Sequence, residues 1–315
     1  GCSALQSITL PETLESIGTD AFSSCSALQS VSIPGSLESI PSSAFSGCSA
    51  LSSVKLNDGL VNIGPYAFRQ SGIESISMPG TLTKIETQAF SDCNSLVNIE
   101  FTELTESRLD TIEYSAFSDC NKLQSLTLPE GLTFIGNNAF NGCSALESLT
   151  LPSTLTTVEA SVFSYCSKLK EVTLPGSMGK VPSSMFSSCT SLETVVLEEG
   201  ITTLGSSCFQ YCSKLVNINL DVPGLTTIEQ SAFWGCSSLT AVTLKDDITS
   251  LGTSVFLNCS GLQTAVLPQG ITSIPSSTFN GCSALHDVTI SDGVTSIGKK
   301  AFSGCSSLEN LPLPN

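Results

Sequence analysis

The chain has 315 residues, with twelve Lys plus Arg against twenty-eight Asp plus Glu and a formal charge of −16; its pI is near 4.3. No basic run occurs, which excludes the clustered cations that nucleic acid and anionic membrane surfaces require. The apolar runs are only a few residues long, too short for membrane insertion of this segment.

The opening coil sets a pattern that recurs throughout: Cys2, Leu5, Ile8, Leu10, Pro11, Leu14, Ile17, Gly18, Ala21, Phe22, then Cys25. The stretch around Leu5, Ile8 and Leu10 ends in alternation and predicts a short strand, closed by Pro11 where a backbone donor is no longer needed. Leu14 to Gly18 predicts a second short extended piece. The segment from Ala21 and Phe22 to Cys25 predicts a helical or 3₁₀ turn filling the corner. Phe22, Phe45, Phe68, Phe90, Phe117, Phe140, Phe163, Phe186, Phe209, Phe233, Phe256, Phe279 and Phe302 mark the copies, nearly all 23 residues apart. One such coil cannot bury its own apolar residues, so the copies must stack, with parallel strands about 4.8 Å apart. Residues 1–315 therefore read as a single repeat array of about 13–14 coils whose first and last coils are incomplete.

This unit closely resembles the BspA-like, treponemal-type leucine-rich repeat family over essentially the whole chain. The resemblance implies a repeat solenoid, a leucine-rich-repeat right-handed superhelix of mainly short parallel β-strands with 3₁₀ or helical turns. It further implies an extracellular or cell-surface protein, non-enzymatic and without a cofactor, acting in adhesion or recognition of a host, matrix or glycan partner. The alternative is structural: a spacer, or a component of a filament or surface layer that self-associates through its end coils.

Three coils depart from the pattern. Ser71 stands at the cysteine position, in a coil one residue short in which Ile73 takes the Leu place. Between Cys93 and Cys120 the step is 27 residues, through "FTELTESRLDTIE". Between Cys212 and Cys236 it is 24, through "LDVPGL". Insertions in solenoids become loops on one face and carry individual function.

Thirteen of the fourteen cysteines share one phase, so they form a column with neighbours about 4.8 Å apart, whereas a disulfide needs Cβ atoms about 3.5–4.5 Å apart. Ser71 interrupts the column and leaves Cys2, Cys25 and Cys48 as an odd group. The reading is a buried ladder of thiols acting as small hydrophobes. Cys208 takes the Ala position before Phe209, and with Cys212 alone makes no zinc site.

Nothing in the chain forms a catalytic constellation: the one histidine, His286, falls at an outward strand position, and nucleophile-elbow and phosphate-loop motifs are absent. Three surfaces offer binding residues instead. The first strand face projects Gln124, Ser125 and Thr127, Glu147, Ser148 and Thr150, Lys170, Glu171 and Thr173, and further on Val196, Val216 and Asn219. Aromatic anchors gather in the corner at Tyr165, Tyr211 and Trp234. Carboxylates crowd the long insertion, with Glu103, Glu106 and Asp110 among them; Asp92 with Asp119, and Glu86 with Glu113, share a phase in adjacent coils, the arrangement a bridging divalent cation would use, although no EF-hand-like spacing is present. Paired hydroxyls such as Thr202/Thr203 and Thr226/Thr227 rank along the second extended piece, and Leu220-Asp221-Val222 matches an integrin-recognition tripeptide.

Overall fold

The computed structural model describes residues 1–102 and 107–313; Glu103 and Glu106 of the acidic insertion lie outside them. The described chain forms two compact units, Gly1–Cys166 and Ser167–Asn315.

The alternation of the sequence becomes strands whose residues are exposed and buried in turn. Ser30–Ile33 in the first unit and Glu171–Leu174 in the second both run exposed, buried, exposed, buried. In the first unit the strands Ser30–Ile33, Ser53–Leu56, Ser75–Met78, Asn98–Phe101, Ser125–Thr127 and Ser148–Thr150 form one parallel sheet. The second extended pieces form another, through Ser39–Ile40, Asn62–Ile63, Lys84–Ile85, Thr111–Ile112, Phe134–Ile135 and Thr157–Val158. Register joins each residue to the one a repeat later, as Ser30 to Ser53 and Val31 to Val54. The apolar phase read from the sequence is the buried one: Leu28, Ile33, Leu37, Ile40, Ala44 and Phe45 are all at most 1% exposed. Ile73, the substitute in the shortened coil, is fully buried.

The corner is not the expected helical or 3₁₀ turn. Ala21 N–H donates to Gly18 O (3.2 Å), Ser23 N–H to Asp20 O (3.0 Å) and Cys25 N–H to Phe22 O (3.1 Å), giving three overlapping β-turns. Asp20 and Ser24 have φ of 58° and 56°, the left-handed value a type II turn demands at its third residue. The physical reason lies between coils. The alternate N–H groups of Asp20, Phe22 and Ser24 point to the next coil and donate to Ser42, Ala44 and Ser46 O at 3.1, 2.9 and 2.7 Å. A helix would spend those donors within its own turn. Among the described residues only Gly176–Met178 is a 3₁₀ helix.

Two columns run inside this corner. Phe22, Phe45, Phe68, Phe90, Phe117, Phe140 and Phe163 stack ring on ring, with centroids 5.0–5.4 Å apart at each step. The cysteines are all free thiols, and all but Cys2 and Cys305 are buried. They do more than fill space. Cys48 Sγ donates to Phe22 O at 3.1 Å, Cys93 to Phe68 O at 3.1 Å and Cys120 to Phe90 O at 3.2 Å. The Phe22, Phe68 and Phe90 carbonyls thus accept the N–H three residues on, in their own coil, and a thiol from the next coil, as Phe90 O does from Cys93 N–H (3.3 Å) and Cys120 Sγ. Ser71, buried in the same column, lies 3.3 Å from Cys93 Sγ through its hydroxyl. Burial pushes the Cys48 and Cys93 thiols up to about 11 and raises Cys120 well above its ordinary value.

The second unit repeats this build. Phe186, Phe209, Phe233, Phe256, Phe279 and Phe302 stack at 5.5–5.9 Å, and Cys212, Cys236, Cys259 and Cys282 donate to Phe186, Phe209, Phe233 and Phe256 O at 3.1–3.2 Å. Cys208 is fully buried at the Ala position. A side chain at Gly205 would meet backbone, since a Cβ there would lie 2.5 Å from Val181 O in the preceding coil.

Its sheets are interrupted. Glu171–Leu174, Thr194–Leu197 and Asn217–Ile218 pair with one another, and Ala241–Thr243, Thr264–Val266 and Asp287–Thr289 form a separate set. The second extended pieces separate a coil further on, between Ser250–Leu251 and Ser273–Ile274. The first break falls in the 24-residue coil. There the Asn219 side chain accepts from Asp221 N–H at 2.9 Å, a local bond that ends the strand at Ile218.

Candidate functional site

The first strand face carries the residues expected on it. Gln124, Ser125, Thr127, Glu147, Ser148 and Thr150 are exposed in the first unit, and Lys170, Glu171 and Thr173 in the second. Register places Thr127 beside Thr150 and Ser125 beside Ser148, while Thr173 lies beside Val196. This face is not uniformly polar. Val196 and Val216 are 47% and 44% exposed, because residues at outward positions bury nothing whatever their polarity. His286 is also exposed.

The aromatic corner divides between the units. Tyr165, in the first, is 59% exposed. In the second, Tyr211 and Trp234 meet with centroids 5.3 Å apart and planes tilted by 47°. Both tyrosines have left-handed φ, 63° and 59°. Gly235, at the matching position of the next coil, makes room for Tyr211: a Cβ on it would lie 2.6 Å from Tyr211 Cδ1. Trp234 is half-buried rather than exposed. Its Nε1 is enclosed and has no hydrogen-bond partner.

The carboxylates of the insertion face cations and amides. Glu113 lies 2.6 Å from Lys84 Nζ and accepts from Thr87 N–H and Oγ1, each at 3.1 Å. Burial opposes ionisation of Glu113, but the hydrogen bonds from Lys84 and Thr87 outweigh it, and its pKa is lowered. Glu86 accepts from Asn62 Nδ2 at 2.7 Å, Asp92 pairs with Arg69 at 3.4 Å, and Asp119 accepts from Ser118 Oγ at 3.1 Å. Among the described residues no three His, Cys, Asp or Glu side chains cluster to hold a metal. Glu229 repeats the Glu113 device in the second unit, its pKa lowered by Lys180 and Ser206. Sequence reasoning missed both, because Glu113 and Thr87 are 26 residues apart and nothing local marks the pair.

Two further surfaces are used internally. Thr202 and Thr226 Oγ1 donate to Gly179 O and Thr202 O at 3.0 and 3.4 Å, so these ranked hydroxyls tie coil to coil. Within Leu220-Asp221-Val222 both apolar side chains are buried, which leaves the tripeptide unable to present itself.

At the interrupted sheet a groove of about 390 Å³ opens, lined by Ile218, Asn219, Leu220, Asp221, Ala241, Val242, Thr243 and Lys245. Lys245 Nζ reaches Asp221 Oδ2 at 3.1 Å. With both side chains at least half exposed, the pair contributes little to stability.

The model of a BspA-type leucine-rich repeat region, six copies long, matches residues 1–97, 96–216 and 213–315. Among solved structures, a leucine-rich repeat protein from Bacteroides ovatus is 31% identical with a TM-score of 0.84, covering 98% of this chain and 78% of its own. A leucine rich cell surface protein from Faecalibacterium prausnitzii is 27% identical with a TM-score of 0.58, covering 97% of this chain and 80% of its own. The pneumococcal vaccine antigen PcpA shares the fold at 24% identity and a TM-score of 0.56, covering 94% of this chain and 72% of its own. No curated protein matches.

Proposed function

The chain belongs to the BspA-type leucine-rich repeat family, and on that premise we propose that it is a non-enzymatic recognition scaffold of the cell surface or the secreted space, binding a protein or glycan partner. The observation that carries this reading is the exposed side chains on the first strands of each unit, Gln124, Thr127, Glu147 and Thr150 in the first and Lys170 and Thr173 in the second, each set projecting from a backbone whose shape is fixed by buried columns. Such a surface varies without cost to the core, which suits recognition. The cell-surface description of the Faecalibacterium relative supports the location. Tyr165, Tyr211 and Trp234 add ring surface of the kind that anchors interfaces.

The structural alternative is assembly of copies into a filament or surface layer. Light scattering and small-angle X-ray scattering over a concentration series separate the two, together with arrays of extracellular proteins and glycans. A constant monomer mass with capture of a discrete partner is the expected result. Linear growth with concentration and no capture would replace recognition by assembly.

A further inference from the structure

We propose that the second unit holds an extended peptide segment of a protein partner where its first sheet is interrupted, between the coil of Tyr211–Asp221 and the coil of Trp234–Lys245; this deepens the recognition reading and rests on it. Three observations meet in these two consecutive coils.

The first is an unmade main-chain bond. In the coils on either side, Val216 N–H donates to Glu193 O at 3.1 Å and Gln263 N–H to Thr240 O at 2.8 Å. Thr240 N–H, at the same place in the repeat, makes no such bond to Val216 O, and the strands Asn217–Ile218 and Ala241–Thr243 do not pair. The coils nevertheless stay joined at the corner, through Tyr211 N–H to Trp234 O at 2.7 Å, and along the second strands Thr227–Ile228 and Ser250–Leu251. The opening is therefore confined to the strand face.

The second is the groove of about 390 Å³ at that opening, which is of ligand-holding size. Asn219, Thr243, Asp221 and Lys245 give it polar and charged edges. The third is apolar surface in the same two coils, beside the groove rather than lining it: Val216 and Tyr211 are each 44% exposed, and Tyr211 leans on Trp234.

Thr240 N–H on one coil and Val216 O on the other, left without each other beside alternating side chains, offer a donor and an acceptor that the main chain of an extended peptide laid across the opening can meet. Oligosaccharides are the poorer fit. A sugar stacks on an open, flat ring face, whereas the two rings here are tilted by 47° and Tyr211 is packed against Gly235.

The test uses the full chain and a displayed library of random linear peptides of about twelve residues, with a glycan array beside it. Enriched peptides are measured against the chain and against Tyr211→Ser, Trp234→Leu and Lys245→Ala. Ser188 and Leu257 hold the matching positions of other coils, so the first two replacements are ones the repeat already accommodates. Thermal unfolding confirms the fold of each variant. Binding that weakens roughly tenfold or more in Tyr211→Ser and Trp234→Leu, with slowed hydrogen exchange at the Thr240 amide, is the expected result. Peptides whose affinity is unchanged in all three variants would overturn this site while leaving recognition by another face intact. Binding of glycans alone, weakened by Tyr211→Ser, would replace the peptide by a sugar. No enrichment on either library overturns the inference, and no capture on the protein arrays as well would overturn the recognition reading itself.

Discussion

Above about pH 9 the protein loses stability at roughly 1.4 kcal/mol per pH unit for each buried thiol that must stay protonated. Burial raises Cys48 and Cys93 to about 11, and raises Cys120 and Cys143 as well, all within the first unit. In the second unit burial lifts Cys259 to about 12 and raises Cys208, Cys212, Cys236 and Cys282. A folded-state pKa above the unfolded one means that the stabilisation is complete below the unfolded value and is lost as pH climbs toward the folded value. The unfolded chain releases protons that the folded chain must keep. Four thiols in the first unit together cost about 5 kcal/mol one pH unit above the ordinary thiol range, comparable to the whole stability of a domain. Denaturant midpoints are thus expected to stay level up to about pH 8.5 and collapse by about pH 10.5. Midpoints that hold steady through that window would mean that the thiols ionise in place and are not sealed in the column.

Phe117→Ala is expected to lower the unfolding free energy of the first unit by about 3–5 kcal/mol, the cost of a cavity where a ring had been fully buried. Phe117 stacks on Phe90 at 5.0 Å and on Phe140 at 5.2 Å with nearly parallel planes, and is 0% exposed. Its removal breaks the column in mid-run. A coil's core packs mainly against its neighbours, so the loss is felt as weakened coupling between the coils on either side. Equilibrium urea unfolding measures it, and Phe117→Leu, which refills some of the space, is expected to lose markedly less. A loss for alanine below about 1.5 kcal/mol would show that the column closes over the gap and that stacking is not what fixes the corner.

The 23-residue period, the buried phase of Leu28, Ile33 and Ile40, and the single column of cysteines all follow from residues recurring at fixed intervals, and are legible in the sequence. The corner does not follow, because its left-handed positions are filled by Asp20, Ser24, Tyr165 and Tyr211 as readily as by glycine, so the usual marker of such turns is missing. The thiol donors leave one trace, Ser71, where the column substitutes one hydrogen-bonding side chain for another. The 24-residue step is visible, but its effect is not: the extra residue sits after the strand, and the pairing it breaks is with a coil 24 residues away. Trp234 reads as a surface residue and is half-buried, since its cover comes from the adjoining coil rather than from its own.

Each coil divides into inward positions that make the fold and outward positions that meet a partner. Two sets of substitutions test that division directly: Gln124→Ala, Thr127→Ala, Glu147→Ala and Thr150→Ala in the first unit, and Lys170→Ala, Thr173→Ala and Tyr211→Ser in the second. Thermal unfolding is read beside capture of whichever partner the arrays identify. Both sets are expected to melt within a few degrees of the parent chain, about what exposed positions cost, while at least one loses its partner. Unchanged capture in both sets, with the fold intact, would contradict that division.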